Sequence, residues 1–187
     1  VPKQYISCET IVSEGLKAVR YAVNSIDADM PKRYLIELSS HGGNSLREFQ
    51  NIFIRSRLQL IGMTHGIMEY VDNNISKYIR NGIEFVEHEV NEIKKRHNAS
   101  RVLYDYVCNN VSPSEPVSDK LLEANIVKSL GSEYTYEAAK IAQKLLGAKG
   151  FESGHPMSNI AIDIRPFTIF EGNNEMLYAD IFDIFSK

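Results

Sequence analysis

Apolar residues recur along most of the chain at intervals of three and four, the spacing that lines one face of an α-helix. The clearest such segment begins at Ser45, where Ser45 and Glu48 fit a capping box, and its apolar stripe continues to Tyr78. Asn81 and Gly82 come next, and both residues tolerate the left-handed conformation that ends helices. The pattern therefore predicts one long helix that begins at Ser45 and ends before Asn81.

The same spacing predicts three more helices in the second half of the chain. One long helix covers residues 83–107, and another is capped by Ser118 and ends at Gly147. Residues 148–170 hold glycines and prolines without a helical period, and Asn173 then caps a short last helix. Long amphipathic helices cannot bury their apolar faces singly, so we predict an all-α, up-and-down four-helix bundle over residues 45–187.

Residues 1–44 are predicted to be an N-terminal extension, or a linker from a preceding domain. Within them, the pattern predicts one extra helix from about Ser7 to Ile26, weakened by Gly15. Its apolar stripe consists of Val12, Leu16, Val19, Val23 and Ile26.

Composition excludes several classes of partner. The chain has 21 Lys and Arg against 24 Asp and Glu, a formal net charge of -3, so no basic field is available to bind nucleic acid. No apolar run reaches the roughly 18 residues of a membrane-spanning helix, and we expect a soluble protein without a membrane span. Cys8 and Cys108 are isolated, which predicts free thiols in the cytoplasm, or in the mitochondrial matrix of a eukaryote.

The histidines do not form a recognisable metal motif, because no spacing brings two of them onto one helical face. His88 has Glu84 and Glu92 four residues away on either side, but such charges commonly just support an exposed helix. His65 and His97 lie on or beside apolar stripes, where a hydrogen-bonded core histidine is the default interpretation. The sequence therefore predicts no metal site. Motifs for a nucleophile elbow, a phosphate loop or a dinucleotide fold are also absent from the sequence, so nothing indicates a hydrolase or a P-loop protein.

Gly147 and Gly150 follow directly on the end of the third long helix. Glycines at such a position let a ligand approach the backbone, whose free N–H groups suit a phosphate or the edge of a cofactor. An ordinary helix end would place glycines there as well, and the sequence alone leaves both interpretations open.

Glu171 is a candidate general base. A carboxylate set among Ile169, Phe170 and Met176 would be desolvated, which makes it a stronger proton acceptor, and Gly172 beside it allows a substrate to approach closely. The alternative is that Glu171 is an acid near the first turn of the last helix, where it would favour the positive end of that helix. The spacing does not separate these two roles.

Four motifs in this region resemble the C-terminal part of the acyl-CoA dehydrogenases. They are AQKLLGAKGF at residues 142–151, GHP at 154–156, DIR at 163–165 and IFEGN at 169–173. Their order and spacing agree with the family pattern, which reads A-x-Q-x-x-G-G-x-G-[YF], an E-Y-P-like turn, D-A-R and I-Y-E-G-T. The resemblance covers about residues 45–187 and leaves residues 1–44 without a match.

The resemblance implies an enzyme that oxidises an acyl-CoA thioester to the trans-2-enoyl-CoA, with FAD as the hydride acceptor. The catalytic base of the family falls on Glu171. The glycine-rich loop of the family, which lies against the FAD of a neighbouring subunit, falls on Gly147 and Gly150, and Asn173 takes the place of a threonine that contacts the flavin. The resemblance also implies a homodimer or homotetramer held together by the bundle.

The family builds its active site from two further domains, so we expect this chain to be part of a longer polypeptide. Lys144 stands where the family has Gln, and the turn at residues 76–85 has Arg80 but not the Arg and Gln pair that contacts FAD in the family. This departure favours an alternative, a catalytically inactive helical bundle that acts as an assembly or partner-binding scaffold. A helical module that binds acyl-CoA without redox chemistry is a third possibility.

Overall fold

The computed structural model describes residues 2–34, 45–80, 82–112 and 119–186, with residues 45–48 described in their backbone only. Within these residues the chain forms five α-helices, a two-stranded sheet and short 3-10 turns. The helices are α1 (Ser45–Ile75), α2 (Glu84–Asn110), α3 (Leu121–Leu145), α4 (Pro156–Ile164) and α5 (Asn174–Phe185). The strands are β1 (Ser7–Ile11) and β2 (Tyr21–Ser25), which pair antiparallel.

Helix α3 lies at the centre, since each of the other four helices packs against it. Its inward face carries small residues, among them Gly131, Ala138 and Ala142. A Cβ atom at Gly131 would lie only 2.6 Å from Cδ1 of Ile61, so α1 and α3 approach closely because this position has no side chain. The predicted all-α bundle is confirmed, and two short helices, α4 and α5, form its fourth side.

The largest apolar cluster joins α1, α2, α3 and α4, which fixes all four elements relative to one another. Most of its members are fully buried, so each removes its whole apolar surface from water. They are Met68, Val71, Ile75, Ile93, Ala138, Ala142, Leu146 and Met157.

The helix ends agree with the sequence in part. Helix α1 ends at Ile75, earlier than predicted, and the chain then turns with the Tyr78 N–H donating to the Ile75 carbonyl over 3.0 Å. Asn173 caps α5 as predicted, its Oδ1 accepting from the Glu175 N–H at 3.1 Å. The side chains of the predicted capping box, the Ser118 cap and Asn81 lie outside the described residues.

Helix α4 corrects the prediction that residues 148–170 lack a helix. Pro156 stands in its first turn, where proline costs no hydrogen bond and its fixed φ suits the helix. His155 caps the helix, its Nδ1 accepting from the Met157 N–H at 3.2 Å. The nine-residue helix is too short for a clear apolar period, and the prolines at its start and just after its end therefore suggested a loop.

The extra N-terminal helix predicted for Ser7–Ile26 is wrong, because this segment is the β1–β2 hairpin. The apolar stripe misled the prediction: Val12 is 96% exposed, and Val19, Val23 and Ile26 are each about half exposed, so of the five stripe residues only Leu16 packs against an apolar cluster. The strands are instead favoured by their β-branched and aromatic residues and by the break at Gly15.

The loop of the hairpin is anchored to α4. The Leu16 N–H donates to Asp163 Oδ1 over 2.5 Å, and a Cβ atom at Gly15 would lie 2.8 Å from the Ile162 carbonyl oxygen. These contacts hold the hairpin beside the chain segment that leads to α5.

The histidines occupy the environments predicted for them. His97 pairs with Asp72 (Nδ1 to Oδ2, 2.6 Å), and His65 bonds to Ser100 Oγ at 3.3 Å, with both rings buried between α1 and α2. His88 is exposed. Cys8 and Cys108 are free thiols, as predicted.

The described residues form neither a metal-binding cluster nor a membrane-spanning helix. No group of three or more His, Cys, Asp or Glu side chains within these ranges is arranged to hold a metal ion. Likewise, none of the described helices combines the length and apolar character needed to cross a membrane.

The buried His65 predicts acid sensitivity. Burial, and then the neighbouring His97, lower the pKa of His65 below its ordinary 6.5, against the opposing effect of Glu69 and Asp105. The unfolded chain therefore takes up a proton that the folded protein resists, and stability that is complete above pH 6.5 is lost as the pH falls through the lowered pKa. His65→Phe, which keeps an aromatic ring at this position, should lose less free energy of unfolding than the wild type between about pH 7.5 and pH 5 in urea titrations.

The control is His88→Gln, which changes an exposed histidine and should show the wild-type loss. An equal loss in the wild type and His65→Phe would show that another group carries the acid sensitivity.

Candidate functional site

The turn before α5 has an unusual backbone. Glu171 has φ 59° and Gly172 has φ 109°, both in the left-handed region. That conformation is uncommon for residues with a side chain, and among the described non-glycine residues Leu16 is the other example. The turn holds Glu171 in a conformation that the residue would not adopt by preference.

Two cationic side chains from different helices hold this turn. Arg57 of α1 donates from Nε to the Glu171 carbonyl oxygen over 2.7 Å. Lys128 of α3 donates from Nζ to the Gly172 carbonyl oxygen over 2.6 Å. Hydrogen bonds from charged donors are shorter and stronger than neutral ones, so successive carbonyls of the turn are both firmly fixed.

The two cations are themselves held by buried amide side chains. Arg57 Nη1 donates to Asn125 Oδ1 over 2.6 Å, and Lys128 Nζ donates to Asn174 Oδ1 over 2.8 Å. Asn174 also donates from Nδ2 to the Ser129 carbonyl oxygen at 3.3 Å. The network therefore ties the first residue of α5 to α3 and makes the turn part of the bundle.

The electrostatics of the network follow from burial. Burial, and then the nearby Arg57, lower the pKa of Lys128 to about 8, while Glu171 and Glu133 act in the opposite direction. Burial also lowers the pKa of Arg57, opposed by Asp180 and Glu171. Two cations thus lie under one turn, with the carboxylates around them compensating the cost of burying both charges.

The carboxylate of Glu171 is less enclosed than the sequence suggested. Glu171 is half-buried, while Ile169 is 59% and Met176 is 68% exposed, so these two residues do not enclose it within this chain. Phe170 is half-buried and packs against Phe167, with ring centroids 6.0 Å apart. Glu171 consequently stays accessible to a ligand.

Asn173 is exposed and adjoins this turn. Its Oδ1 accepts the capping hydrogen bond from the Glu175 N–H, so the amide Nδ2 is the group left to donate to a ligand.

Gly147 and Gly150 have different roles in the structure. Gly147 is exposed with φ 57°, and no atom lies within 4 Å of the position of a Cβ, so its backbone is open to a ligand. Gly150 is buried, and a Cβ there would overlap the Gln143 carbonyl oxygen. The Gly150 carbonyl accepts from Gln143 Nε2 at 2.9 Å and from Ser158 Oγ at 2.6 Å, so packing within the chain accounts for this glycine.

The structure does not bring these glycines together with Glu171. The turn at Glu171 is held at Lys128, whereas Gly147 follows the end of α3 at Leu145. At a rise of 1.5 Å per residue, the stretch of α3 between Lys128 and Leu145 is about 25 Å long. The predicted site residues therefore form two groups near opposite ends of α3.

Lys144 stands where the family pattern has Gln, and Arg80 lies in the turn at residues 76–85. Neither residue takes part in either group. Lys144 forms an ion pair with Glu89 of α2 at 2.9 Å, and its Nζ lies 4.8 Å from the ring centre of Phe85. Arg80 is exposed in the turn after α1.

Arg57 and Lys128 were missed from the sequence, although Lys128 carried a signal. It follows Ala124 by four residues and precedes Gly131 and Ser132, so it falls among small residues on the face of α3 that is buried. A charged residue on a buried helical face indicates a partner or a function. Nothing comparable distinguished Arg57.

The comparisons with known proteins agree with the fold. Residues 46–184 match the family described as acyl-CoA dehydrogenase, C-terminal domain. The mitochondrial very long-chain specific acyl-CoA dehydrogenase of Macaca fascicularis is 25% identical in an alignment of 143 residues, and the match covers 72% of this chain and 22% of that protein.

Solved structures share this fold at lower sequence identity. Glutaryl-CoA dehydrogenase from Mycobacterium smegmatis superimposes with a TM-score of 0.83 at 16% identity, covering 100% of this chain and 50% of that one. A probable acyl-CoA dehydrogenase from Mycobacterium abscessus gives 0.84 at 16% identity, covering 99% and 51%. The matched region includes the β1–β2 hairpin, and this chain spans about half the length of these solved relatives.

The family match covers most of the chain, and the superpositions extend over its helices and its hairpin. This chain belongs to the acyl-CoA dehydrogenase family and corresponds to its C-terminal helical domain.

Proposed function

We propose that this chain supplies the catalytic base of an FAD-dependent acyl-CoA dehydrogenase that converts an acyl-CoA to the trans-2-enoyl-CoA. Glu171 removes the proton from the carbon next to the thioester carbonyl. The observation that carries the proposal is the left-handed conformation of Glu171, which two cations from separate helices hold in place.

A strained conformation at a charged residue supports a functional role. A non-glycine residue in this region costs about 1–3 kcal/mol and persists only where the surroundings enforce it. Here Arg57 and Lys128 enforce it, and their own burial adds a further cost. Packing alone would be served by a glycine or asparagine at position 171, so a carboxylate at this position favours a chemical role.

The geometry around Glu171 suits proton abstraction from a substrate. Gly172 beside the base is partly exposed, so a flat thioester group can approach the turn from its solvent side, whereas Arg57 and Leu177 fill the side on which a Cβ would lie. Phe170, the residue before Glu171, is half-buried, and the exposed faces of Ile169 and Met176 would be covered when substrate binds. Excluding water in this way strengthens the base and protects the reaction.

Two residues fit a flavin cofactor, and one is explained without it. Gly147 offers an open backbone, and Asn173 retains an amide donor, so both could lie against FAD; Gly150 is required by packing. FAD would supply the acceptor for the hydride that leaves the β-carbon. Because Gly147 lies about 25 Å along α3 from the Glu171 turn, we propose that it contacts the FAD of a neighbouring subunit in a homodimer or homotetramer.

Glu171→Gln tests the base directly. In the natural gene product that contains this chain, the wild-type flavin absorbance should bleach when a saturated acyl-CoA is added. Glu171→Gln should bind FAD and acyl-CoA but slow this bleaching at least about a thousandfold, because an amide cannot accept the proton. Stopped-flow absorbance in the flavin bands measures both rates.

The matched control is Glu175→Gln, which removes an exposed carboxylate four residues away and should bleach at the wild-type rate. Bleaching at the wild-type rate in Glu171→Gln would remove Glu171 from the base role. A wild-type protein that binds no FAD in a fluorescence titration would favour the inactive scaffold.

Gly172→Ala tests the backbone of the turn. At φ 109° a side chain is strained, and the new Cβ would lie 3.1 Å from Nη2 of Arg57 and 3.3 Å from Cδ2 of Leu177. We expect a loss of about 1–3 kcal/mol in the free energy of unfolding, measured by urea titration, together with slower flavin bleaching.

Gly66→Ala is the control, because Gly66 lies within α1 and a Cβ there meets no atom within 4 Å. It should stabilise the protein by about 0.5–1 kcal/mol, since alanine is the better helix former. Equal effects of the two substitutions would show that the Gly172 turn is not a constrained feature.

A further inference from the structure

Lys128 is the largest side chain among those that the described structure buries almost completely, with 1% of its surface exposed. Burying an ammonium group costs free energy, because the group loses its hydration, and an apolar side chain of the same length would fill the site at a lower free-energy cost. Lys128 lies among small residues of α3, where the rest of the face packs against neighbouring helices. Stability alone does not explain a lysine at this position.

The contacts of Lys128 are also unusual for a buried cation. Its Nζ donates to the Gly172 carbonyl oxygen at 2.6 Å and to Asn174 Oδ1 at 2.8 Å, and it forms no ion pair with a carboxylate of the described residues. Both acceptors belong to the segment that follows Glu171 directly. The ammonium group of Lys128 therefore stabilises a backbone turn.

The backbone shows why this bond matters for the base. Arg57 bonds to the carbonyl of Glu171 itself and so restricts the peptide group between Glu171 and Gly172. Gly172 has the greatest conformational freedom in the turn, because it has no side chain. This freedom determines the direction of the Gly172 carbonyl and of the peptide group that follows it. Lys128 binds that carbonyl and thereby removes the freedom that glycine introduces beside Glu171.

We propose that Lys128 is a positioning residue, which fixes the Gly172 peptide so that the Glu171 carboxylate meets the α-carbon of the substrate. The inference rests on the proposed function of Glu171. It assigns to Lys128 a role in the rate of proton abstraction, beyond its role in packing. Lys128 does not touch the substrate and acts through Gly172 and Asn174.

The test compares Lys128→Met with the wild-type natural gene product. Straight-chain acyl-CoA thioesters of several lengths are screened, and the one that bleaches the wild-type flavin fastest is used, both unlabelled and with deuterium at the α-carbon. In Lys128→Met we expect the rate constant for bleaching at saturating substrate to fall at least about tenfold, because a misplaced base loses its near-attack geometry. The α-deuterium isotope effect should rise, and KM should change less than about twofold.

These readouts separate positioning from mere structural support. A variant that is partly unfolded loses bleaching amplitude, while its remaining folded molecules keep the wild-type rate constant and isotope effect. Lys140→Met is the matched control, because Lys140 lies on the same helix, is half exposed, and contacts Glu137 and the ring of Tyr136 near it on α3. It should retain the wild-type rate constant and isotope effect.

Failure of this inference is distinguishable from failure of the proposed function. If Glu171→Gln is inactive while Lys128→Met keeps the wild-type rate constant and isotope effect, Glu171 is the base and Lys128 does not position it. If Glu171→Gln bleaches at the wild-type rate, the proposed function fails, and the inference about Lys128 fails with it.

The wild-type protein provides a second measurement in case Lys128→Met does not fold. Burial lowers the pKa of Lys128 to about 8, with Arg57 of α1, Glu171 of the turn and Glu133 of α3 facing it, and Asp180 of α5 facing Arg57. Neutral Lys128 forms weaker hydrogen bonds, so the bleaching rate should fall, and the isotope effect should rise, as the pH increases through about 8. A carboxylate base gives no such fall, and a constant rate and isotope effect between about pH 7 and pH 9 would overturn the inference.

Discussion

The close approach of α1 and α3 is the constraint on which the rest of the structure depends. It is possible because Gly131 faces Ile61 without a side chain between them, and because α3 presents alanines along much of the same face. The approach puts Arg57 of α1 and Lys128 of α3 within reach of one turn. A bulkier face on α3 would separate the two cations, and the left-handed turn at Glu171 would lose its support.

The charged network illustrates how a folded domain can give up stability for a defined site. Buried charges rarely add stability when compared with apolar side chains of the same size, and a left-handed Glu171 adds strain. The apolar cluster that joins α1, α2, α3 and α4 offsets this cost away from the turn. The apolar packing of the bundle therefore stabilises the fold, while the network beneath Glu171 destabilises it and holds one backbone conformation.

The sequence predicted those features that depend on local periodicity and capping. The three long helices follow from apolar spacing, Asn173 caps α5 through a local hydrogen bond, and the buried histidines follow from their place on apolar stripes. The hairpin was missed because Val12, Val19, Val23 and Ile26 imitate a helical stripe, although all four are exposed. Spacing alone does not show whether an apolar stripe meets a core.

The site required information that connects distant parts of the sequence. Glu171 and Gly172 were recognised from their motif, but their partners Arg57 and Lys128 are 114 and 44 residues away from them in the chain. The partners become apparent only when the packing of α1, α3 and α5 is known. Lys128 stands out as a charged residue among small residues of α3, but its acceptors do not follow from that, and Arg57 looks ordinary within α1.

The positions of the two site groups give α3 a role in the proposed enzyme beyond packing. Lys128 near its beginning fixes the turn at Glu171, and Gly147 just after its end exposes an open backbone about 25 Å away. A helix is stiff over this distance, and each of the other four helices packs against α3. If Gly147 contacts the flavin of a neighbouring subunit, one rigid element connects the base of one active site with the cofactor of another. The buried bundle then serves as the common frame for both sites, which is a physical reason for an oligomeric enzyme to build its core from these helices.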